Sequence, residues 1–130
     1  MPAVTPPPAK PGRLKRRAEF LRAAREGAKV ARGALLLQAL PRQDSATRLG
    51  FTATKKIGNA VTRNRAKRRL RAAARLALAA EPAPGWDLVL IAREQTARCP
   101  FAEIARALDS ALVKAGVRAG GPTLPETSRP

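Results

Sequence analysis

Between Lys55 and Arg75 the sequence holds nine cations and no acid. They are Lys55, Lys56, Arg63, Arg65, Lys67, Arg68, Arg69, Arg71 and Arg75. Side chains of this kind do not break bonds by themselves; they bind anions. Arginine outnumbers lysine in the run, and the guanidinium fork suits bidentate phosphate contact and stacking. If the run is helical, at about 100° per residue, Ala66, Leu70, Ala73, Ala74 and Ala77 share one narrow arc. Asn64, Arg65, Arg68, Arg71 and Arg75 fall on the opposite side, with Arg69 on a flank. One helix then carries a core stripe and a cationic stripe. Like charges at these spacings oppose an isolated helix, and an anionic partner removes that repulsion. A plain solvated face is the alternative reading.

Just upstream, Lys55-Lys56-Ile57-Gly58-Asn59 leads into the N-terminus of that helix. Amides at a helix N-terminus attract anions, and Gly58 allows close backbone approach to a phosphate. The whole chain of 130 residues shares this bias, with 26 Lys and Arg against 9 Asp and Glu and a net charge of +17. Such a field favours a polyanion: nucleic acid first, RNA in particular, with an anionic membrane surface as competitor. The chain has no histidine and one cysteine, Cys99. A Cys/His zinc site, a histidine-based catalytic set and an intramolecular disulfide are therefore excluded. Acids are scattered singly, so no constellation for metal-assisted hydrolysis is evident. No apolar run approaches a membrane span, and a reducing cytoplasm is the expected compartment.

The elements that must position the basic run can be read from pattern. Pro2, Pro6, Pro7, Pro8 and Pro11 predict a disordered arm over 1–12, and 118–130 reads as a flexible tail. The single domain is then 13–117. Leu14–Glu26 is a helix candidate bearing Lys15, Arg16, Arg17, Arg22 and Arg25, stopped by Gly27. Ala34–Leu40, stopped by Pro41, reads as a strand, and Arg48–Thr54 alternates as a half-buried one. The long helix runs from about Ala60 to Ala80 and ends at Glu81-Pro82-Ala83-Pro84-Gly85. Asp87–Arg93 is nearly continuously apolar, the mark of a strand covered on both faces. After Pro100, the set Phe101, Ile104, Ala105, Leu108, Ala111, Leu112 and Ala115 recurs at helical spacing up to Gly116. This order predicts an α/β sandwich with a small sheet and helices packed on it.

The run from Lys55 to Arg71, centred on Arg63-Asn64-Arg65, closely resembles the signature of the ribonuclease P protein family. Arg13-Leu14-Lys15 with Phe20 and Gly27, Arg48-Leu49-Gly50-Phe51, and Asp87–Arg93 extend the likeness over about 13–117. The resemblance implies an α/β (α+β) sandwich with about four strands, the fourth at Lys29–Arg32, and a left-handed strand–helix–strand crossover. The general rule for such crossovers gives the right hand, so this expectation rests on the resemblance alone.

The resemblance also implies a role as the protein subunit of bacterial ribonuclease P, whose partner RNA cleaves the 5′ leader from precursor tRNA using bound Mg2+. The protein itself is then expected to bind no cofactor and to need no protein partner. The RNA-binding set is Lys55, Lys56, Asn59, Arg63, Asn64, Arg65, Lys67, Arg68, Arg69, Arg71 and Arg75. Lys15, Arg16 and Phe20 would face the leader in a cleft. Phe20 has two readings, a stacking platform for a leader base or a core residue of the first helix. The family often has further aromatics where Ala24 and Gln38 stand here, which shifts leader binding toward charge. The competing functions are a ribosomal or general RNA-binding structural protein, and a free-standing endonuclease, which would need a carboxylate cluster.

Overall fold

A computed structural model describes residues 12–43, 46–81 and 83–117. The elements in chain order are β1 (Gly12–Arg13), α1 (Arg17–Glu26), β2 (Ala28–Arg32), β3 (Leu35–Pro41) and β4 (Arg48–Thr52). A single 3₁₀ turn (Lys55–Ile57) then leads to α2 (Ala60–Ala80), β5 (Trp86–Ala92) and α3 (Phe101–Lys114). The strands form one sheet in the order β1-β4-β5-β3-β2. β4 and β5 are parallel neighbours joined through α2, and β3 lies antiparallel to both β5 and β2.

The sheet has five strands where about four were expected. Ala28–Arg32 supplies the one inferred at Lys29–Arg32, and the additional strand is the two-residue β1. That strand also corrects the start of the first helix. Leu14 donates its N–H to the Leu49 carbonyl at 2.9 Å, prolonging the pairing of β1 with β4, so α1 begins at Arg17. Pro41 is the last residue of β3, opposite Trp86, and β4 ends at Thr52. Apart from Gly12, now in β1, the arm expected over 1–12 lies outside the described residues; so does the tail expected over 118–130.

Register divides the side chains of the sheet into two faces. On one, Leu37, Leu90 and Phe51 form a row across β3, β5 and β4, and Ala39, Leu88 and Leu49 form the next. This face meets α2 and α3 in the larger core, where Ala66, Leu70, Ala73, Ala74 and Leu78 of α2 join Ile104, Leu108, Ala111 and Leu112 of α3. Burial of β5 on both faces explains its unbroken apolar run. On the opposite face, Gln38, Val89 and Gly50 form one row, and Leu40, Asp87 and Arg48 another. Here α1 docks, closing a smaller core of Leu14, Ala23 and Val89 with Phe20 and Ile91.

Two devices hold α1 in place. Gly50 lies under Phe20, and a Cβ there would fall 2.5 Å from the ring Cε1. The second is a charge cluster. Arg48 donates to both Asp87 oxygens, Nε to Oδ1 at 2.9 Å and Nη2 to Oδ2 at 2.8 Å, and its Nη1 reaches Glu19 on α1. Arg42 adds a contact to Asp87 at 3.1 Å. Burial pushes the Asp87 carboxyl up, but the hydrogen bonds from Arg48 and Arg42 outweigh it and leave it below the usual carboxylate range. Glu19 accepts the backbone N–H groups of Lys15 and Arg16, each at 3.0 Å. The Arg16 amide, then the Lys15 amide, with help from Arg48, hold the Glu19 carboxyl at about 2.

Both carboxyls have folded-state pKa values below their unfolded ones, so their stabilisation is present above the unfolded values and fades as pH falls toward about 2. The urea midpoint should therefore drop between about pH 5 and pH 2, and Glu19→Gln should flatten part of that drop. An equal drop in the variant would remove Glu19 as a contributor. Gly50→Ala should destabilise by about 1–3 kcal/mol through overpacking against Phe20. Urea denaturation checks this, and an unchanged midpoint would mean that the ring moves aside freely.

Candidate nucleic-acid interface

The sequence of α2 dictates which cations reach solvent. Ala66, Leu70, Ala73, Ala74 and Leu78 are buried, with Ala77 half-buried beside them, so the opposite arc must face outward. Asn64, Arg65, Arg68 and Arg75 are exposed there, while Arg71, expected on the same arc, is half-buried instead. No carboxylate among the described residues pairs with Arg65, Arg68 or Arg75. Among the described residues these charges have no acidic partner, and the helix is held by its buried stripe.

The flanks differ from this face. Arg71 is half-buried and lies over the Phe51 ring, 5.4 Å from its centroid. Arg69, on the other flank, donates to the carbonyls of Thr96 at 2.7 Å and Cys99 at 2.5 Å. It thus ties α2 to the turn between β5 and α3. In that turn the buried Thr96 hydroxyl accepts the Arg93 N–H at 2.8 Å and donates to the Ala34 carbonyl. Arg63 and Lys67 are half-buried at the helix margin.

At the helix entrance Lys55 and Lys56 are exposed on the 3₁₀ turn, while Ile57 between them and the helix is buried. Gly58 turns the chain with φ +144°, which a side chain would adopt only under strain. Asn59 caps α2, its side-chain oxygen accepting the Thr62 N–H at 2.9 Å. The first turn has no acid. The positive end of the helix dipole, Lys55, Lys56 and the arginines of the first turns therefore share one end of α2.

On the other face of the sheet, Lys15 and Arg16 are exposed at the start of α1. Phe20 is half-buried, packed on Gly50 and Leu14. Beside it, the row Leu36, Ile91 and Thr52 is half-buried and not sealed by a helix. The result is a shallow floor of sheet next to an aromatic ring and two cations. Ala24 and Gln38 are both half-buried on this side of the molecule.

Pattern reading did not find the Glu19–Arg48–Asp87–Arg42 cluster. A lone acid heading an apolar strand was its only trace, because the partners are separated by dozens of residues in the chain. Thr96 was missed for the same reason. Among the described residues no three His, Cys, Asp or Glu side chains come together as a metal site. Glu19 and Asp87, which share Arg48, are both engaged by arginine. No described helix is long and apolar enough to cross a membrane.

Comparison with known proteins agrees with this arrangement. The family Ribonuclease P matches residues 9–116. The ribonuclease P protein component of Gluconacetobacter diazotrophicus is 55% identical over 107 residues, covering 82% of this chain and 92% of that protein. The RNase P protein of Staphylococcus aureus has a similar structure, with a TM-score of 0.71, 29% identity, and coverage of 83% of this chain and 98% of that one. The RNase P protein of Thermotoga maritima aligns with a TM-score of 0.68 and 28% identity, over 78% of this chain and 96% of that one. With the family matching most of its length and a relative 55% identical over 82% of it, this chain belongs to the ribonuclease P protein family.

Proposed function

We propose that this chain works as the protein subunit of bacterial ribonuclease P, in the cytoplasm, binding the ribonuclease P RNA and the 5′ leader of precursor tRNA. The observation that carries the reading is the outward arc of α2, with Arg65, Arg68 and Arg75 exposed and no carboxylate among the described residues set against them. A surface of this kind binds phosphates by releasing their counterions. Lys55, Lys56, Arg63, Asn64 and Lys67 extend it. Asn59 serves mainly by capping α2, and Arg69 and Arg71 by holding its flanks.

The leader is proposed to lie along the open side of the sheet, with Lys15 and Arg16 meeting its phosphates and Phe20 stacking on a base. Phe20 is both core and platform in this reading, one side packed on Gly50 and the other reachable. Bond cleavage is assigned to the partner RNA with Mg2+. In support, Glu19 and Asp87 are already committed to arginines. The chain's part is to bind, orient and screen charge.

The direct test is cleavage of precursor tRNA at low Mg2+ by a bacterial ribonuclease P RNA, with and without the protein. Correct 5′ maturation that needs both components is expected; cleavage by the protein alone would overturn the division of labour. Arg65→Ala with Arg68→Ala should lower affinity for the RNA and flatten the slope of log Kd against log salt by roughly one unit per lost contact. An unchanged slope would take both arginines out of the interface. Phe20→Leu, which keeps an apolar side chain over Gly50, should weaken precursor binding by about 1–3 kcal/mol while sparing mature tRNA. Equal losses on the two substrates would make Phe20 a core residue only.

A further inference from the structure

The cations of α1 that the reading above does not use are Arg17, Arg22 and Arg25, and all three are exposed. Ala23 is buried, and Phe20 and Ala24 are half-buried toward the sheet, so the arc carrying Arg22 and Arg25 points away from it, with Arg17 at its border. Leu21 lies between them, 47% exposed. The acids nearby do little to cancel this charge. Glu19 is turned inward to Arg48 and the backbone. Glu26 meets Arg22 at 3.4 Å, but both side chains are half or more exposed, where such pairs are weak.

The position of this patch matters more than its charge. α1 packs on one face of the sheet and α2 on the other, as the two separate cores show. The outer arcs of the two helices therefore point in opposite directions, and one straight stretch of nucleic acid lying along α2 cannot also lie along α1. Nor is the patch the leader floor, because the outer arc of α1 faces away from the sheet.

We infer that the outer arc of α1, formed by Arg17, Arg22 and Arg25, is a second RNA-backbone surface, which lets the protein clamp two phosphodiester segments on opposite sides of one sheet. The inference rests on the reading of the chain as an RNA-binding subunit. The ligand chemistry is a phosphate backbone read without base contacts, by charge alone. It can come from a second segment of the partner RNA or from the precursor.

The test uses the full chain with three arginines replaced, Arg17→Gln, Arg22→Gln and Arg25→Gln, at exposed helix positions that tolerate glutamine. Binding is measured across a salt series to ribonuclease P RNA alone, and then to that RNA with leader-bearing precursor tRNA. The slope of log Kd against log salt should flatten by about two units, at roughly 0.7–0.9 per lost contact. Flattening with the RNA alone assigns the second segment to the partner RNA; flattening only with precursor present assigns it to the substrate. Lysine at the same three positions should restore the slope, which a purely structural defect would not do. If the triple variant fails to fold, Arg25→Gln alone should still flatten the slope by a little under one unit. Wild-type slopes in both arms overturn the inference. Arg65→Gln with Arg68→Gln, run beside it, separates the outcomes: if these flatten the slope and the α1 variant does not, only the second surface fails, and if neither does, the RNA-binding reading fails too.

Discussion

A helix that must be buried along one stripe and densely cationic along the other cannot be stable on its own account. Seven like charges between Arg63 and Arg75, with no acid among them, oppose the coil-to-helix step. The order of α2 therefore comes from packing: Leu70 and Leu78 fill the core, and Ala66, Ala73 and Ala74 let the helix lie close to the sheet and to α3. The parallel pair β4 and β5, bridged by α2, gives the buried stripe its seat. Whatever disturbs that seat disturbs the charged face with it, because the two are arcs of one rod.

The opposite side of the sheet is organised by different forces. Few large apolar groups support α1, and among the described residues its smaller core buries Leu14, Ala23 and Val89. Arg48 compensates by joining α1 to β5 through Glu19 and Asp87. A charge-assisted bond of this kind has direction, so it sets where the helix starts and where Lys15, Arg16 and Phe20 emerge. Gly50 completes the arrangement by leaving room for the ring.

Much of this was legible in the sequence, because periodicity reports burial. The span of α2, its outward arc apart from Arg71, the doubly covered β5 and the stripe of α3 followed from spacing alone. The fifth strand did not, since two residues of β1 make no pattern of their own and owe their conformation to β4. The start of α1 was also hidden: helix propensity at Leu14 gives way to a backbone bond with Leu49. Within the basic run, spacing set Arg69 on a flank and Arg65 on the outer arc, but it could not show what Arg69 would bind. Both are arginines on one helix, and the turn at Thr96 and Cys99 separates them further, by supplying carbonyls to Arg69.

That separation gives α2 two classes of guanidinium with different entropy. Arg69 and Arg71 surrender rotamer freedom when the chain folds, one to carbonyls and one to the Phe51 ring. Arg65, Arg68 and Arg75 keep theirs, up to about 2 kcal/mol each, and lose it only on meeting a ligand. The helix thus offers a rigid backbone frame with adaptable heads. Such a surface can conform to the uneven phosphate spacing of a folded polynucleotide, while its position along that polynucleotide is fixed by the frame.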